Sequence, residues 1–119
     1  MKTSACVFHQ RFSTNTLPEW RLAQPFRYLA HNGEINTIQG NRFWAEARKK
    51  YLQSDLLGDI SDIQPIISSY GSVSMSLDNM LELMQISGMS IIQAMKILMP
   101  PAWQANEMMD SDIKAFYEF

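Results

Sequence analysis

Apolar and polar residues alternate from Ala5 to Thr14, near the start of the chain. A repeat of two residues is typical of a half-buried strand, and it puts Arg11 on the polar face. A second extended run, from Arg27 to His31, leads directly into the Asn32-Gly33 pair. The pattern therefore predicts two strands that frame one loop.

A helical repeat of three to four residues replaces this alternation after Thr37. Thr37 is the predicted N-cap of a helix that ends before Gly58, and residues 56–67 are predicted to form a loop. One face of the predicted helix is apolar and contains Ile38, Trp44, Ala47, Tyr51 and Leu52. The charged remainder is interpreted as a solvated face, formed by Arg42, Glu46, Arg48, Lys49 and Lys50.

Three further helices are predicted in the second half of the chain. The first begins at Ser76, carries Leu and Met at helical spacing, and stops at Gly88. The second begins at Ser90, where a glutamine three residues later completes a capping-box pattern. The last begins at Asp110.

This order of elements predicts an α+β fold. The 119 residues suffice for one domain or part of one. Two strands are too few for a whole sheet, so the missing strands are expected before or after this chain. The last residues, 115–119, are apolar and aromatic where a terminus is usually polar, which likewise suggests a piece of a longer polypeptide.

Composition narrows the class of protein. Ten basic and twelve acidic residues are spread along the chain without a cluster of either sign. Nucleic acids and anionic membranes require a basic patch, so neither is a predicted partner. No segment has the pattern of a signal peptide or a membrane span. The single cysteine, Cys6, excludes an internal disulfide and fits a reducing, cytoplasmic location.

The Asn32-Gly33 pair has two interpretations. Both residues tolerate positive φ, so the pair is first of all a signal for a tight hairpin turn. A side-chain amide beside an unhindered glycine N–H also supplies two neutral donors that can bind one developing oxyanion. The pair alone does not decide between these uses.

Other side chains offer chemistry of different kinds. Arg11, followed by a run of hydroxyl and amide residues, is a candidate clamp for a carboxylate, with a structural ion pair as the alternative. Cys6 and His9 suggest a nucleophile and its base, but their odd separation on a strand puts them on opposite faces. Cys6 is therefore interpreted as a buried structural cysteine. Cys6, His9 and His31 do not stand at the paired spacing that metal ligands need, so no metal site is predicted.

A longer, ordered set of segments carries more information than any single motif. It comprises 9–16, Trp20, 24–26, 30–37, Gly40-Asn41, Trp44, 76–79, Pro100, Ala102-Trp103 and 115–118. Together these segments resemble the class II glutamine amidotransferase domain of the glutamate synthase large subunit. Residues 1–119 are accordingly interpreted as a partial domain of this family that lacks the N-terminal nucleophile.

The resemblance implies an αββα sandwich of the N-terminal-nucleophile type. In this family a cysteine at the mature N-terminus attacks the side-chain amide of glutamine, and the ammonia released is used in the reductive amination of 2-oxoglutarate. The implied partners are glutamine, the remainder of the large subunit and a small subunit. The parent family uses FMN and an iron–sulfur cluster, and none of these cofactors is expected in this segment. Unpaired strand edges also predict self-association of the excised piece.

The resemblance also implies roles for individual residues. Arg11 would hold the α-carboxylate of glutamine, Thr14 would line the pocket, and Asn32 with the Gly33 N–H would form the oxyanion hole. Family members carry an aspartate at the position of Val73, where it binds the α-ammonium group of the substrate.

Two departures from the family pattern matter for function. Cys6 does not match the nucleophile, which is expected upstream of this chain, so the segment alone is expected to be inactive. Val73 offers the substrate ammonium neither charge nor acceptor, and Asp78, an early helix residue, is a poor substitute. A degenerate, non-catalytic binding or assembly module is therefore the alternative function.

Overall fold

The computed structural model describes residues 2–8 and 17–118. Four α-helices are present in these residues: α1 (Gln39–Arg48), α2 (Val73–Ile86), α3 (Ile91–Leu98) and α4 (Ser111–Glu118). Three short 3-10 helices cover Trp20–Leu22, Lys49–Tyr51 and Ile60–Ile63. Helix α3 packs against α2, and α1 continues directly into the second 3-10 helix.

No strand forms within residues 2–8 and 17–118, where the only pairing is an isolated antiparallel bridge between Ser54 and Gly58. The prediction of a strand at Arg27 to His31 is wrong, because amides of this segment bind side-chain oxygens instead of a neighbouring strand. The prediction for 5–14 falls partly on 9–14, outside the described residues, and 5–8 are exposed and not in a strand. The α+β class is therefore not confirmed.

Helix α1 begins one residue later than predicted. Ile38 occupies the N-cap position without a side-chain hydrogen bond, so Thr37 is not the cap. The helix ends at Arg48, well before Gly58. Its predicted apolar face is not buried: the Trp44 side chain is 62% exposed and lies beneath the Arg48 guanidinium, 5.0 Å from the ring centroid.

Helix α2 begins one turn earlier than predicted. Ser72, and not Ser76, is the N-cap, and its hydroxyl accepts a hydrogen bond from the Met75 amide at 3.1 Å. Ser76 lies inside the first turns and is buried. Sequence alone does not separate these two serines, because both stand three or four residues before suitable apolar positions.

The predicted end of α2 at Gly88 is confirmed. Gly88 has φ +98°, its amide donates to Gln85 O, and the Met89 amide donates to Met84 O, both at 3.1 Å. This pair of bonds is a Schellman motif, which satisfies carbonyls that the helix leaves open.

The caps of the last two helices are also confirmed. Ser90 is the N-cap of α3: its hydroxyl oxygen accepts from the Gln93 amide at 3.3 Å, and its O–H donates to Gln93 Oε1 at 2.9 Å. The carboxylate of Asp110 accepts from the amides of Asp112 and Ile113 at the start of α4.

The apolar core is small for a chain of this mass. It consists of Leu29, Ile60, Leu81, Leu83 and Ala94. The chain exposes 9993 Å², whereas a folded monomer of its mass exposes roughly 6,600 Å². Several large aromatic side chains account for part of the difference, among them Trp20, which is 96% exposed. The chain thus buries much less surface than a closed domain of equal size.

Candidate functional site

The segment that contains Asn32 and Gly33 lies against the N-terminal half of α2. The His31 Nε2 atom is 2.7 Å from Ser74 Oγ. Asn32 and Gly33, which follow His31 in the chain, are exposed. Val73, the first residue of α2 and half-buried, precedes Ser74. The structure therefore brings three of the five sequence-predicted site residues into one neighbourhood.

The other two predicted site residues, Arg11 and Thr14, lie outside the described residues. His9 does as well, so the interpretation of a Cys6–His9 pair cannot be followed in the structure. Cys6 itself is exposed, which corrects its interpretation as a buried structural cysteine. Residues 5–8 pack against no core that would cover the thiol.

Asp78 holds the backbone that leads to Asn32. Its Oδ1 accepts hydrogen bonds from the amides of Tyr28 at 2.9 Å and Leu29 at 2.8 Å, and its Oδ2 accepts from Arg27 N at 3.2 Å. The residue is 2% exposed. Three amide dipoles thus solvate a buried carboxylate, which satisfies both the charge and the donors.

Both carboxylate oxygens of Asp78 are engaged by these amides. Within residues 2–8 and 17–118, its hydrogen bonds go to the main chain of residues 27–29, roughly fifty positions away in sequence. Sequence reasoning interpreted Asp78 only as an early helix residue and missed this role. The available signal was a charged residue on the apolar side of a helix, beside the buried positions Leu81 and Ser76.

His31 organises the loop itself. Its amide donates to the Gln24 side-chain oxygen at 2.7 Å, and its Nδ1 accepts from the Gly33 amide at 3.1 Å. Because Nδ1 accepts, the ring carries its proton on Nε2 and donates it to Ser74 Oγ. The Gly33 N–H is therefore bound to His31 in this structure, and it would have to change partners to bind an oxyanion.

The hairpin interpretation of Asn32-Gly33 is wrong. A type I′ turn requires positive φ at both central residues, and neither residue has it. The flanking strands are absent from the described segments as well. Hydrogen bonds to His31, and not a strand ladder, determine the shape of this loop.

Arg42 supports the opposite side of the first turn of α2. Its guanidinium donates to Ser76 Oγ and to the carbonyl oxygens of Gly71 and Ser72. The prediction that Arg42 lies on a solvated face is wrong, because these acceptors half-bury the side chain. Gly71 is itself closely packed: a Cβ there would lie 2.9 Å from Met75 Sδ and 3.2 Å from Ser68 Cβ.

Comparison with known proteins gives the family. The family model "Glutamine amidotransferases class-II" matches residues 1–119. The chain belongs to the class-II glutamine amidotransferase family. The resemblance inferred from the ordered segments is therefore confirmed.

Relatives of this amidotransferase chain are glutamate synthases. It is 46% identical to "Glutamate synthase [NADH]" of Saccharomyces cerevisiae over 99% of its length and 6% of that protein. It is 44% identical to "Glutamate synthase [NADPH] large chain" of Bacillus subtilis over 95% of its length and 8% of that protein. "Ferredoxin-dependent glutamate synthase" of Cyanidium caldarium is 43% identical over 98% of the chain, again 8% of the relative. The chain thus spans less than a tenth of these relatives.

Other ionisable groups of this amidotransferase chain are tied to local contacts. The Ser61 amide, and then its hydroxyl, lower the pKa of Asp59, which caps the 3-10 helix at Ile60–Ile63. A hydrogen bond from Arg21, and then its charge, lower the pKa of Glu19. Neither carboxylate belongs to the loop at Asn32 or to α2.

Neither a metal centre nor a membrane-spanning helix is present in the described part of the chain. Within 2–8 and 17–118, no group of three His, Cys, Asp or Glu side chains is placed to hold a metal ion. No helix in these ranges has the length and apolar character needed to cross a membrane.

Proposed function

We propose that this chain supplies the oxyanion-hole and glutamine-binding segment of the amidotransferase domain of a glutamate synthase. The domain hydrolyses glutamine to glutamate and ammonia, and the ammonia serves the reductive amination of 2-oxoglutarate. One observation carries the proposal: the family match extends over residues 1–119, and the relatives named glutamate synthase are 43–46% identical over nearly the whole chain.

In this proposal the Asn32 side-chain amide and the Gly33 N–H stabilise the oxyanion of the tetrahedral intermediate. Neutral N–H donors suit that task, and the Gly33 N–H becomes available to the oxyanion when it leaves His31 Nδ1. Arg11 binds the substrate α-carboxylate and Thr14 lines the pocket. The nucleophilic cysteine comes from outside this chain, so the segment by itself does not hydrolyse glutamine.

The contacts around α2 support the assignment of Asn32 and Gly33. His31 and Asp78 bind the loop to the helix, so its donors are carried by a rigid element and not by a free loop. Val73, at the position of the ammonium-binding aspartate of the family, stands one residue before Ser74, which contacts this loop.

The proposal also covers the wider assembly. The segment belongs to an αββα sandwich whose strands it shares with the remainder of the large subunit, in the cytoplasm. A small subunit is a further proposed partner, and self-association of the isolated piece follows from its large exposed surface. FMN and the iron–sulfur cluster lie elsewhere in the enzyme, because a cluster takes several cysteine ligands and this chain has one.

A second candidate function is favoured by Val73. A chain that has lost its ammonium ligand would act as a binding or assembly module without catalysis. Glutaminase activity of the complete protein separates the two functions, because only the enzyme releases glutamate and ammonia from glutamine.

The decisive variant is Asn32→Ala in the complete glutamate synthase that carries this chain. Loss of one oxyanion donor removes about 3 to 4 kcal/mol of transition-state stabilisation, so we expect glutamine hydrolysis to fall at least a hundredfold. Asn106→Ala, at an exposed asparagine before α4, is the matched control and should leave the rate unchanged. A decrease of less than threefold in Asn32→Ala would remove the oxyanion assignment.

A further inference from the structure

Three polar residues of α2 stand at intervals of four and face the segment that leads to Asn32. Glu82 forms an ion pair with Arg27 at 2.8 Å, Asp78 binds the amides of residues 27–29, and Ser74 bonds the His31 ring. Residues four apart lie on one face of a helix. We call Ser74, Asp78 and Glu82 the α2 stripe.

The order of these contacts fixes the direction of the segment. Arg27 contacts Glu82, near the C-terminal end of α2, and His31 contacts Ser74, in the first turn of α2. Residues 27–31 therefore run antiparallel to α2, towards its N-terminus. They end at His31, which contacts Ser74, and Asn32 and Gly33 follow in the chain.

The three contacts differ in strength. The ion pair of Arg27 and Glu82 is weak, because the Arg27 side chain is 70% exposed. Asp78 is buried and accepts three amide hydrogen bonds, which are charge-assisted. Removing its charge would leave the amides of 27–29 with a poorer acceptor, and at Leu29 burial excludes water that could replace it.

A role in packing alone does not explain a carboxylate at this position. An apolar side chain would fill the same space without burying a charge, and burying a charge is costly unless it is fully hydrogen-bonded. Unlike an apolar side chain, the carboxylate fixes the orientation of the three consecutive backbone amides of residues 27–29. That orientation is passed on to the loop two residues later.

We propose that Asp78, assisted by Ser74, is the positioning residue of the oxyanion loop. It does not contact substrate; it sets the place of Asn32 and Gly33 through the backbone of 27–29, and Ser74 sets it through the His31 ring. This inference rests on the proposed function of Asn32 and Gly33. A displacement of about 1 Å in such a loop can cost about a hundredfold in rate.

The test is Asp78→Asn in the complete enzyme, with glutamine hydrolysis measured at varied substrate concentration. We expect kcat to fall about ten- to a hundredfold and KM to change less than twofold, because the oxyanion donors act on the transition state and not on bound glutamine. Asp112→Asn, an exposed aspartate of α4, is the matched control. The fraction of correctly folded sites is measured by labelling with an electrophilic glutamine analogue, which alkylates the nucleophilic cysteine of the complete enzyme.

The possible results separate cleanly. Full alkylation with a kcat within twofold of the parent would overturn the role of Asp78. If Asp78→Asn loses alkylation because the domain unfolds, Ser74→Ala decides, since it removes only the bond to His31. A lower kcat in Ser74→Ala, restored by Ser74→Thr, supports the inference, and an unchanged kcat overturns it. A parent enzyme without glutaminase activity would overturn the proposed function instead.

Discussion

Arg42 of α1 and Ser76 of α2 are joined by two hydrogen bonds, from Nε at 3.0 Å and from Nη2 at 2.7 Å, to the same hydroxyl oxygen. The Nη2 group also reaches the carbonyls of Gly71 and Ser72, at 3.0 and 3.3 Å. All the acceptors in these bonds are neutral. The guanidinium therefore acts as a fork that joins α1 to the start of α2, and not as half of an ion pair.

Arg42→Ala should loosen α1. Hydrogen bonds from a charged donor contribute about 1.5 to 3 kcal/mol, so we expect the amides of α1 to exchange with solvent about thirtyfold faster or more. Hydrogen exchange of residues 39–48, followed by mass spectrometry in the complete protein, measures this. Arg48→Ala is the control on the same helix, where only the contact with Trp44 is lost and a few-fold change is expected. Equal effects of the two substitutions would contradict the role of Arg42.

Val73→Asp should improve glutamine binding, if Val73 occupies the ammonium subsite of the proposed function. A carboxylate opposite a desolvated ammonium contributes roughly 2 to 5 kcal/mol, so KM for glutamine should fall at least about tenfold. Steady-state kinetics of the complete enzyme provide the measurement. Val73→Asn introduces a side chain of nearly the same shape as aspartate but without its charge, so it should change KM little. An equal response to both substitutions would exclude charge pairing at this position.

Two glycine substitutions should move stability in opposite directions. Gly88 has φ +98° and a Cβ there would lie 3.1 Å from Leu56 Cδ1, so Gly88→Ala should destabilise by about 1 to 2 kcal/mol. Gly40 lies in α1 with nothing within 4 Å of an added Cβ, so Gly40→Ala should stabilise by about 0.5 to 1 kcal/mol. The free energies of unfolding of the two variants are compared by urea unfolding of the complete protein and by hydrogen exchange near each glycine. A shift of the same sign in both would refute the assignment of their conformations.

Local signals predicted the later helices well. The N-cap at Ser90, the stop at Gly88 and the start at Asp110 depend on contacts within a few residues, so the sequence contains all of their partners. The strand at Arg27 was predicted from an extended pattern alone. That pattern does not say whether the amides bind a neighbouring strand or a distant side chain, and here they bind Asp78.

The sequence supplied candidates for the site, but not the contacts that support them. The resemblance proposes Asn32, Gly33 and Val73 as site residues, and the bond between His31 and Ser74 joins their segments. Asp78 could not be assigned from the sequence, because its hydrogen bonds join positions about fifty residues apart. The exposure of Trp44 could not be predicted, since a helical repeat of apolar residues does not show whether the chain itself covers that face.

The long separation between Asp78 and its amides has a consequence for the order of folding. The residues it binds lie 49 to 51 positions earlier in the chain. A ribosome adds about 5 to 20 residues per second, so the segment at 27–29 waits about 3 to 10 s before its acceptor has been synthesised. During that interval its amides have only water as a partner. The loop at Asn32 can therefore take its final form only after α2 has been made, which makes it one of the late-folding parts of this chain.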